Sequence, residues 1–134
     1  MLKKVIKYED FDGKEREETF YFNLTTAELA EWELSISGGM TGWIERIVET
    51  ETTPEMVKLF KELITKSYGE KSPDGKRFIK NEELTEAFIQ SNAYSVLFME
   101  LITDAKNAAD FANGVMPKEL NVDPSKIKLN PKNE

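Results

Sequence analysis

The chain has no cysteine and no histidine among its 134 residues. Without cysteine there is no disulfide, no cysteine-rich zinc site and no thiol nucleophile. Without histidine a zincin helix and a histidine-based triad are both excluded. Long apolar runs are missing too, so the sequence offers neither a transmembrane span nor a signal-peptide core. Basic residues are outnumbered, 18 Lys and Arg against 25 Asp and Glu, giving a net charge of -7. That balance favours solubility and disfavours a dedicated non-specific binder of nucleic acid. What remains is a 40% apolar content, enough for one modest core in a single domain. The composition reads as a cytoplasmic protein without a membrane anchor.

The pattern along the chain is α+β. Residues 2–10 and 14–22 read as an antiparallel β-hairpin, because Leu2, Ile6, Tyr8, Phe20 and Phe22 all fall at even positions and share one face. A two-residue Asp12-Gly13 turn would send Ile6 and Phe20 to opposite faces. A three-residue loop, Phe11-Asp12-Gly13 with Gly13 left-handed, instead pairs Asp10 with Lys14 and Leu2 with Phe22. The opposite face carries Lys3, Lys7, Glu9, Glu15 and Glu17, as a solvated face should. Two strands alone are marginal in water, so the apolar face must rest on helices.

A bundle of about five to six short helices supplies that support. Thr25 and Glu28 form a capping box and Leu24 and Leu29 a hydrophobic staple, opening a helix whose stripe is Leu29, Trp32, Glu33 and Ile36. Ser37-Gly38-Gly39 ends it, and a short helix follows from about Thr41 to Thr50 with Trp43 on its stripe. Thr53-Pro54 opens the next, with Met56, Leu59, Phe60, Leu63 and Ile64 on one side and Gly69 as its stop. Ser72-Pro73-Asp74-Gly75 is a type I turn signal, and Arg77-Phe78-Ile79 reads as a short extended piece pairing at an edge of the hairpin. Asn81 caps a helix through Gln90. A break at Ser91-Asn92 separates it from a helix to Ile102, and Asp104 caps another from Ala105 to Asn113, closed by Gly114. Residues 1–117 therefore read as one domain and residues 118–134, with Pro124 and Pro131, as a polar, flexible tail.

No motif for chemistry survives inspection. Asp10-Phe11-Asp12-Gly13 has its glycine three residues after the first aspartate, where a calcium loop needs five. Gly69 to Gly75-Lys76 has the wrong glycine spacing for a phosphate loop, and Arg77 stands where Ser or Thr would meet magnesium. Acid pairs such as Glu17-Glu18 and Glu82-Glu83 are ordinary in an acidic chain. No catalytic, cofactor or metal-binding residue is assigned, and the reading is of a protein that is not an enzyme. Trp32 and Trp43 fit core packing better than a ligand box.

The segment 61–80 stands out by charge, with six basic residues against three acidic ones. Its bland reading is a solvated loop. Its functional reading is a docking surface made by Lys66, Tyr68, Lys71, Lys76, Arg77, Phe78 and Lys80, the aromatic rings serving as anchors between charges.

Three stretches carry a family resemblance. They are Phe20-Tyr-Phe-Asn-Leu-Thr-Thr-Ala-Glu-Leu29, the segment from Phe60 through Ser67-Tyr-Gly-Glu-Lys-Ser-Pro-Asp-Gly-Lys-Arg-Phe-Ile-Lys80, and Tyr94-Ser-Val-Leu-Phe-Met-Glu-Leu101 continuing to Phe111-Ala-Asn-Gly-Val-Met-Pro117. In order and over residues 1–117, the chain resembles small tail assembly chaperones of long-tailed phages and prophages of Gram-positive bacteria. The resemblance implies a non-enzymatic role in the host cytoplasm. Such proteins hold the tape measure protein before the tail tube polymerises around it, and they are absent from the mature virion. It also implies a longer frameshift product that contacts tail tube protein, with no cofactor, nucleic acid or membrane involved. Coating a long client would call for weak self-association. Two other classes compete: a structural phage component, such as a head–tail completion or tube-associated protein, and a small host regulatory module.

Overall fold

Tight turn chemistry starts the fold. In the computed structural model, which describes residues 1–33 and 54–117, strands β1 (Leu2–Glu9) and β2 (Glu15–Phe22) pair antiparallel with Leu2 opposite Phe22 and Glu9 opposite Glu15. This is the register of the three-residue loop. The Asp10 amide donates to Lys14 O at 2.8 Å, and Gly13 takes φ +82°. Asp10 Oδ1 accepts from the Asp12 and Lys14 amides, both at 2.9 Å, and its other oxygen holds Arg16 Nε at 2.6 Å. The Lys14 amide, followed by Arg16, keeps the Asp10 carboxyl below its usual pKa.

Helix α1 (Thr26–Glu33) opens with the expected reciprocal cap. The Thr25 amide donates to Glu28 Oε1 at 2.8 Å and the Glu28 amide to Thr25 Oγ1 at 3.1 Å, while Leu24 and Leu29 are both buried. The glycine stop at 38–39, the helix 41–50 with Trp43, the Thr53 cap and the tail 118–134 lie outside the described residues.

Helix α2 (Pro54–Ser67) buries Phe60, Leu63 and Ile64 and then passes without a loop into strand β3 (Tyr68–Lys71). Gly69 is thus not the helix stop expected of it. Instead the buried Ser67 hydroxyl donates to Leu63 O at 2.6 Å, satisfying a last-turn carbonyl, and Gly69 lies in the sheet opposite Tyr21. Strand β4 (Phe78–Ile79) pairs with β3, Lys71 opposite Phe78, rather than with the N-terminal hairpin. The sheet is wholly antiparallel in the order β1-β2-β3-β4. The turn joining β3 to β4 is the Ser72–Gly75 turn, with Gly75 N donating to Ser72 O at 2.9 Å and Gly75 at φ +76°.

Helices α3 (Glu82–Ile89), α4 (Asn92–Thr103) and α5 (Ala105–Val115) complete the described fold. Asn81 caps α3 through the Leu84 amide, and Asp104 caps α5 through the Lys106 and Asn107 amides. The break between α3 and α4 is present. Ser91 Oγ turns back to Phe88 O at 2.7 Å and so terminates α3 instead of capping α4. Gly114 lies in the last turn of α5 rather than closing it, and Leu2 packs directly over it; a Cβ there would come within 2.9 Å of Leu2 Cδ1.

The even face of the hairpin and Tyr68 of β3 meet the helices in one core. Ile6 and Phe22 meet Phe60, Leu63 and Ile64 of α2, Phe88 of α3, Leu97 and Leu101 of α4, and Phe111 and Val115 of α5. Aromatic rings dominate its centre. Tyr68 and Phe88 stack at 4.4 Å, and Phe22 makes edge contacts with Phe88 at 5.8 Å and Phe111 at 5.2 Å.

Candidate partner-binding surface

The basic segment folds into the α2 end and the β3–β4 hairpin, and its residues divide between two environments. Tyr68 belongs to the core: 7% exposed, it is stacked on Phe88 and flanked by Phe22. Burial, then the nearby Glu70 and Glu18 charges, push its hydroxyl pKa up. Its ring is engaged inside the fold, not presented as an anchor.

Lys80 is engaged as well. Its ammonium donates to Asn23 O and Lys66 O, each at 2.7 Å, and to both Glu28 carboxylate oxygens at 3.0 and 2.9 Å. Three N–H donors thus meet four acceptors from the β2–α1 connection, α1 and the end of α2. Burial lowers the Lys80 pKa, and Glu28 opposes that shift. For Glu28, burial acts to raise the pKa, but the Thr25 amide and Lys80 outweigh it and the net shift is downward. The capping carboxylate of α1 therefore doubles as the counter-ion of a lysine 52 residues away. Nothing in the local sequence marks this pair, since only the tertiary fold brings the two together.

The sign of the pH effect follows. A carboxyl held below its ordinary value of 4.5 contributes stability above that pH and loses it as pH falls through the lowered folded value. Thermal melts of wild type and Glu28→Gln are expected to differ most near neutral pH and to converge in acid. A gap that stays constant down to pH 3 would show that the carboxylate charge plays no part.

The other residues expected to dock a partner lie at or near the surface. Lys71, Lys76 and Arg77 are exposed around the β3–β4 turn, where the Arg77 amide donates to Ser72 Oγ at 3.0 Å and the Lys76 amide to Asp74 Oδ1 at 3.0 Å. Ser72 Oγ also donates to Asp74 Oδ1 at 2.7 Å, so the turn is braced from within and its cations are held on a shaped loop. Lys71 Nζ sits 5.2 Å from the Tyr21 ring centroid. Phe78, half-buried, leaves part of its ring beside these charges. Lys66 stands apart, with its ammonium 5.8 Å from the Trp32 ring, at a groove lined by Leu24, Glu28, Glu31, Trp32 and Lys66. The fold thus leaves Lys71, Lys76 and Arg77 exposed around one turn with Phe78 beside them, while Tyr68 is buried and Lys80, its ammonium 5.7 Å from the Phe78 ring, is tied to Asn23, Glu28 and Lys66.

Among the described residues no group of acidic, histidine or cysteine side chains is placed to hold a metal ion. No helix there is long and apolar enough to cross a membrane. The sequence reading missed a second kind of surface: Val5 and Phe11 on the hairpin and Val96 and Met99 on α4 are large apolar side chains left exposed. A signal existed for Val5, the only apolar residue among the odd positions of β1.

Comparison with known proteins gives one result. A family model described as phage tail assembly chaperone matches residues 1–130, which takes the match past Pro117 into the segment read as a tail. No curated protein and no solved structure matches the chain.

Proposed function

Since the chain belongs to the phage tail assembly chaperone family, we propose that it binds its phage's tape measure protein and keeps it soluble until the tail tube forms around it. The observation that carries this reading is a family match over almost the whole chain. Contact alone performs the task. The client exposes apolar helical surface before assembly, and its protector has to cover that surface yet release it, which suits many moderate contacts along an array of copies. A longer frameshift product would link the same complex to tail tube protein, and the finished particle would contain neither.

The face offered to the client is the β3–β4 turn. Lys71, Lys76 and Arg77 form a local positive surface on an acidic protein, and such a surface steers an acidic client towards itself. Their long apolar stems and the partly open Phe78 ring add contact area beside the charge.

Co-expression with the tape measure protein, followed by a pull-down, tests the role. A complex and a gain in soluble client are expected; a folded protein giving neither turns the reading towards a structural component of the particle. Reversing Lys71, Lys76 and Arg77 to glutamate is expected to slow association about tenfold at low salt and to flatten its salt dependence. The circular dichroism spectrum should not change, because all three side chains are exposed. Unchanged association by the triple variant would move the client surface elsewhere.

A further inference from the structure

Among the described residues the hairpin leaves one long sheet edge without a neighbouring strand. Counting back from the Asp10 N–H bond to Lys14 O, the even residues of β1 exchange hydrogen bonds with β2, and the odd ones direct theirs to the other side. Lys3, Val5, Lys7 and Glu9 therefore point their N–H and C=O groups away from the sheet. Asn92 Nδ2 donates to the Glu9 carbonyl at 2.8 Å. Among the described residues no strand pairs with this edge. Such an edge is a template for another strand unless it is blocked.

Apolar surface accompanies it. Val5 is 55% exposed on the outer face of the strand. Below the strand, Lys4 Nζ reaches Glu100 of α4 at 2.8 Å. Val96 stands one helical turn before Glu100, and Met99 precedes it directly, so the exposed pair Val96 and Met99 borders the side of α4 that reaches β1.

The charges of β1 identify the partner. A second copy meeting this edge antiparallel about a two-fold axis keeps like faces together only in certain registers. With Lys4 or Lys7 on the axis, a lysine faces itself. With Val5 on the axis, Lys3 faces Lys7 twice. With Ile6 on the axis, Lys3 faces Glu9 twice, Lys4 faces Tyr8 and Val5 faces Lys7, so no like charges are opposed. The pairs Lys3–Glu9 and Val5–Lys7 are also those whose backbone groups point outward. With Tyr8 on the axis Lys7 faces Glu9, but only residues 7–9 of the strand overlap, so the Ile6 register is the longest pairing that opposes no like charges.

We propose that β1 pairs with β1 of a second copy in this register, Ile6 facing Ile6, to run one antiparallel sheet through both copies. The pairing does not depend on the client and stands or falls separately from the chaperone reading.

Because the chain has no cysteine, introduced thiols report the register directly. Across the axis residues 5 and 7 lie about 5.5 Å apart at Cα, within the span of a disulfide. Val5→Cys mixed with Lys7→Cys is expected to give an oxidised dimer, while neither variant alone does. Cross-linking of Val5→Cys with itself, of Lys7→Cys with itself, or no cross-link in the mixture would each overturn the register. Sedimentation of the wild-type chain supplies the second measurement. A concentration-dependent dimer is expected, weakened about tenfold by Lys3→Glu and restored by Lys3→Glu combined with Glu9→Lys. Both side chains are exposed, and circular dichroism checks that each variant is folded. A wild-type chain that stays monomeric at every soluble concentration, or a double exchange that fails to restore the dimer, refutes the pairing.

Discussion

Replacing Phe22 by alanine is expected to lower stability by about 3–5 kcal/mol, the usual cost of emptying a large buried aromatic site. Phe22 has no exposed surface, and its ring lies against Tyr68, Phe88 and Phe111, with centroids at 5.8, 5.8 and 5.2 Å. It is where the end of β2, the start of β3 and helices α3 and α5 meet. The cavity has little chance to collapse, because three of its walls are rings set by different elements. Against a total stability of about 5–15 kcal/mol for a domain of this size, such a loss is a large fraction of the whole. Urea unfolding followed by circular dichroism measures it. Phe11→Ala serves as the contrast: that ring is 78% exposed at the hairpin tip and should change stability by less than about 0.5 kcal/mol. A loss below about 1 kcal/mol for Phe22→Ala would mean that the aromatic centre is not as tightly packed as described.

Gly69→Ala is expected to cost about 1–3 kcal/mol, towards the upper end. The glycine has an ordinary negative-φ backbone, so the cost is one of space. An added Cβ would stand 2.7 Å from Phe78 Cε2, 2.8 Å from Ile79 O and 3.0 Å from Lys80 Cγ. The phenyl ring and the lysine stem can move, but Ile79 O belongs to the backbone of β4. Relieving it shifts the strand and with it the Lys80 ammonium that closes the α1 and α2 ends. Gly75→Ala makes a useful comparison, because nothing lies within 4 Å of its Cβ and its penalty would come from φ +76° alone. Denaturant midpoints of the two variants, with amide exchange at Glu70 and Ile79, separate crowding from backbone strain. Retained protection across β3 and β4 in Gly69→Ala would contradict the crowding account.

How far the sequence disclosed this fold depended on the range of each interaction. The N-terminal hairpin was legible down to its register because its signals are local: even-position apolar residues and an Asp-Gly turn of fixed length. The caps at Thr25, Asn81 and Asp104 were legible for the same reason, each being a contact within three residues. Strand β3 was not. Tyr68-Gly-Glu-Lys follows a helix without a loop, shows no apolar alternation, and is a strand only because Tyr21 and Phe22 lie beside it. Gly69 and Gly114 were read as helix stops, which is what glycine near a helix end most often means. Both instead make room for a neighbour, Phe78 in one case and Leu2 in the other. Of the surface residues, the exposed cations of the β3–β4 turn could be read from composition. The inward turn of Tyr68 and the closing role of Lys80 could not, since Tyr68 depends on Phe22 and Phe88 in other elements and Lys80 on Asn23 and Glu28, 57 and 52 residues away.

The strand order also sets a folding itinerary. Strands β1 and β2 are joined by a three-residue loop, and β3 and β4 by the short turn at 72–77, so each hairpin closes locally on the order of microseconds, although neither is stable alone. Their union is different. Phe22 can meet Tyr68 only after the chain between residues 23 and 67 has closed, and the ladder that rewards closure is two residue pairs long. Closing that loop costs roughly 2 kcal/mol more than closing the loop of the first hairpin. The barrier therefore lies at the seam between the halves, and the aromatic rings that meet there must lower it before the sheet hydrogen bonds do. On this account Phe22→Ala, which removes a ring from the seam, loses its stability mainly as slower refolding, and stopped-flow refolding with an unchanged rate would place the barrier elsewhere.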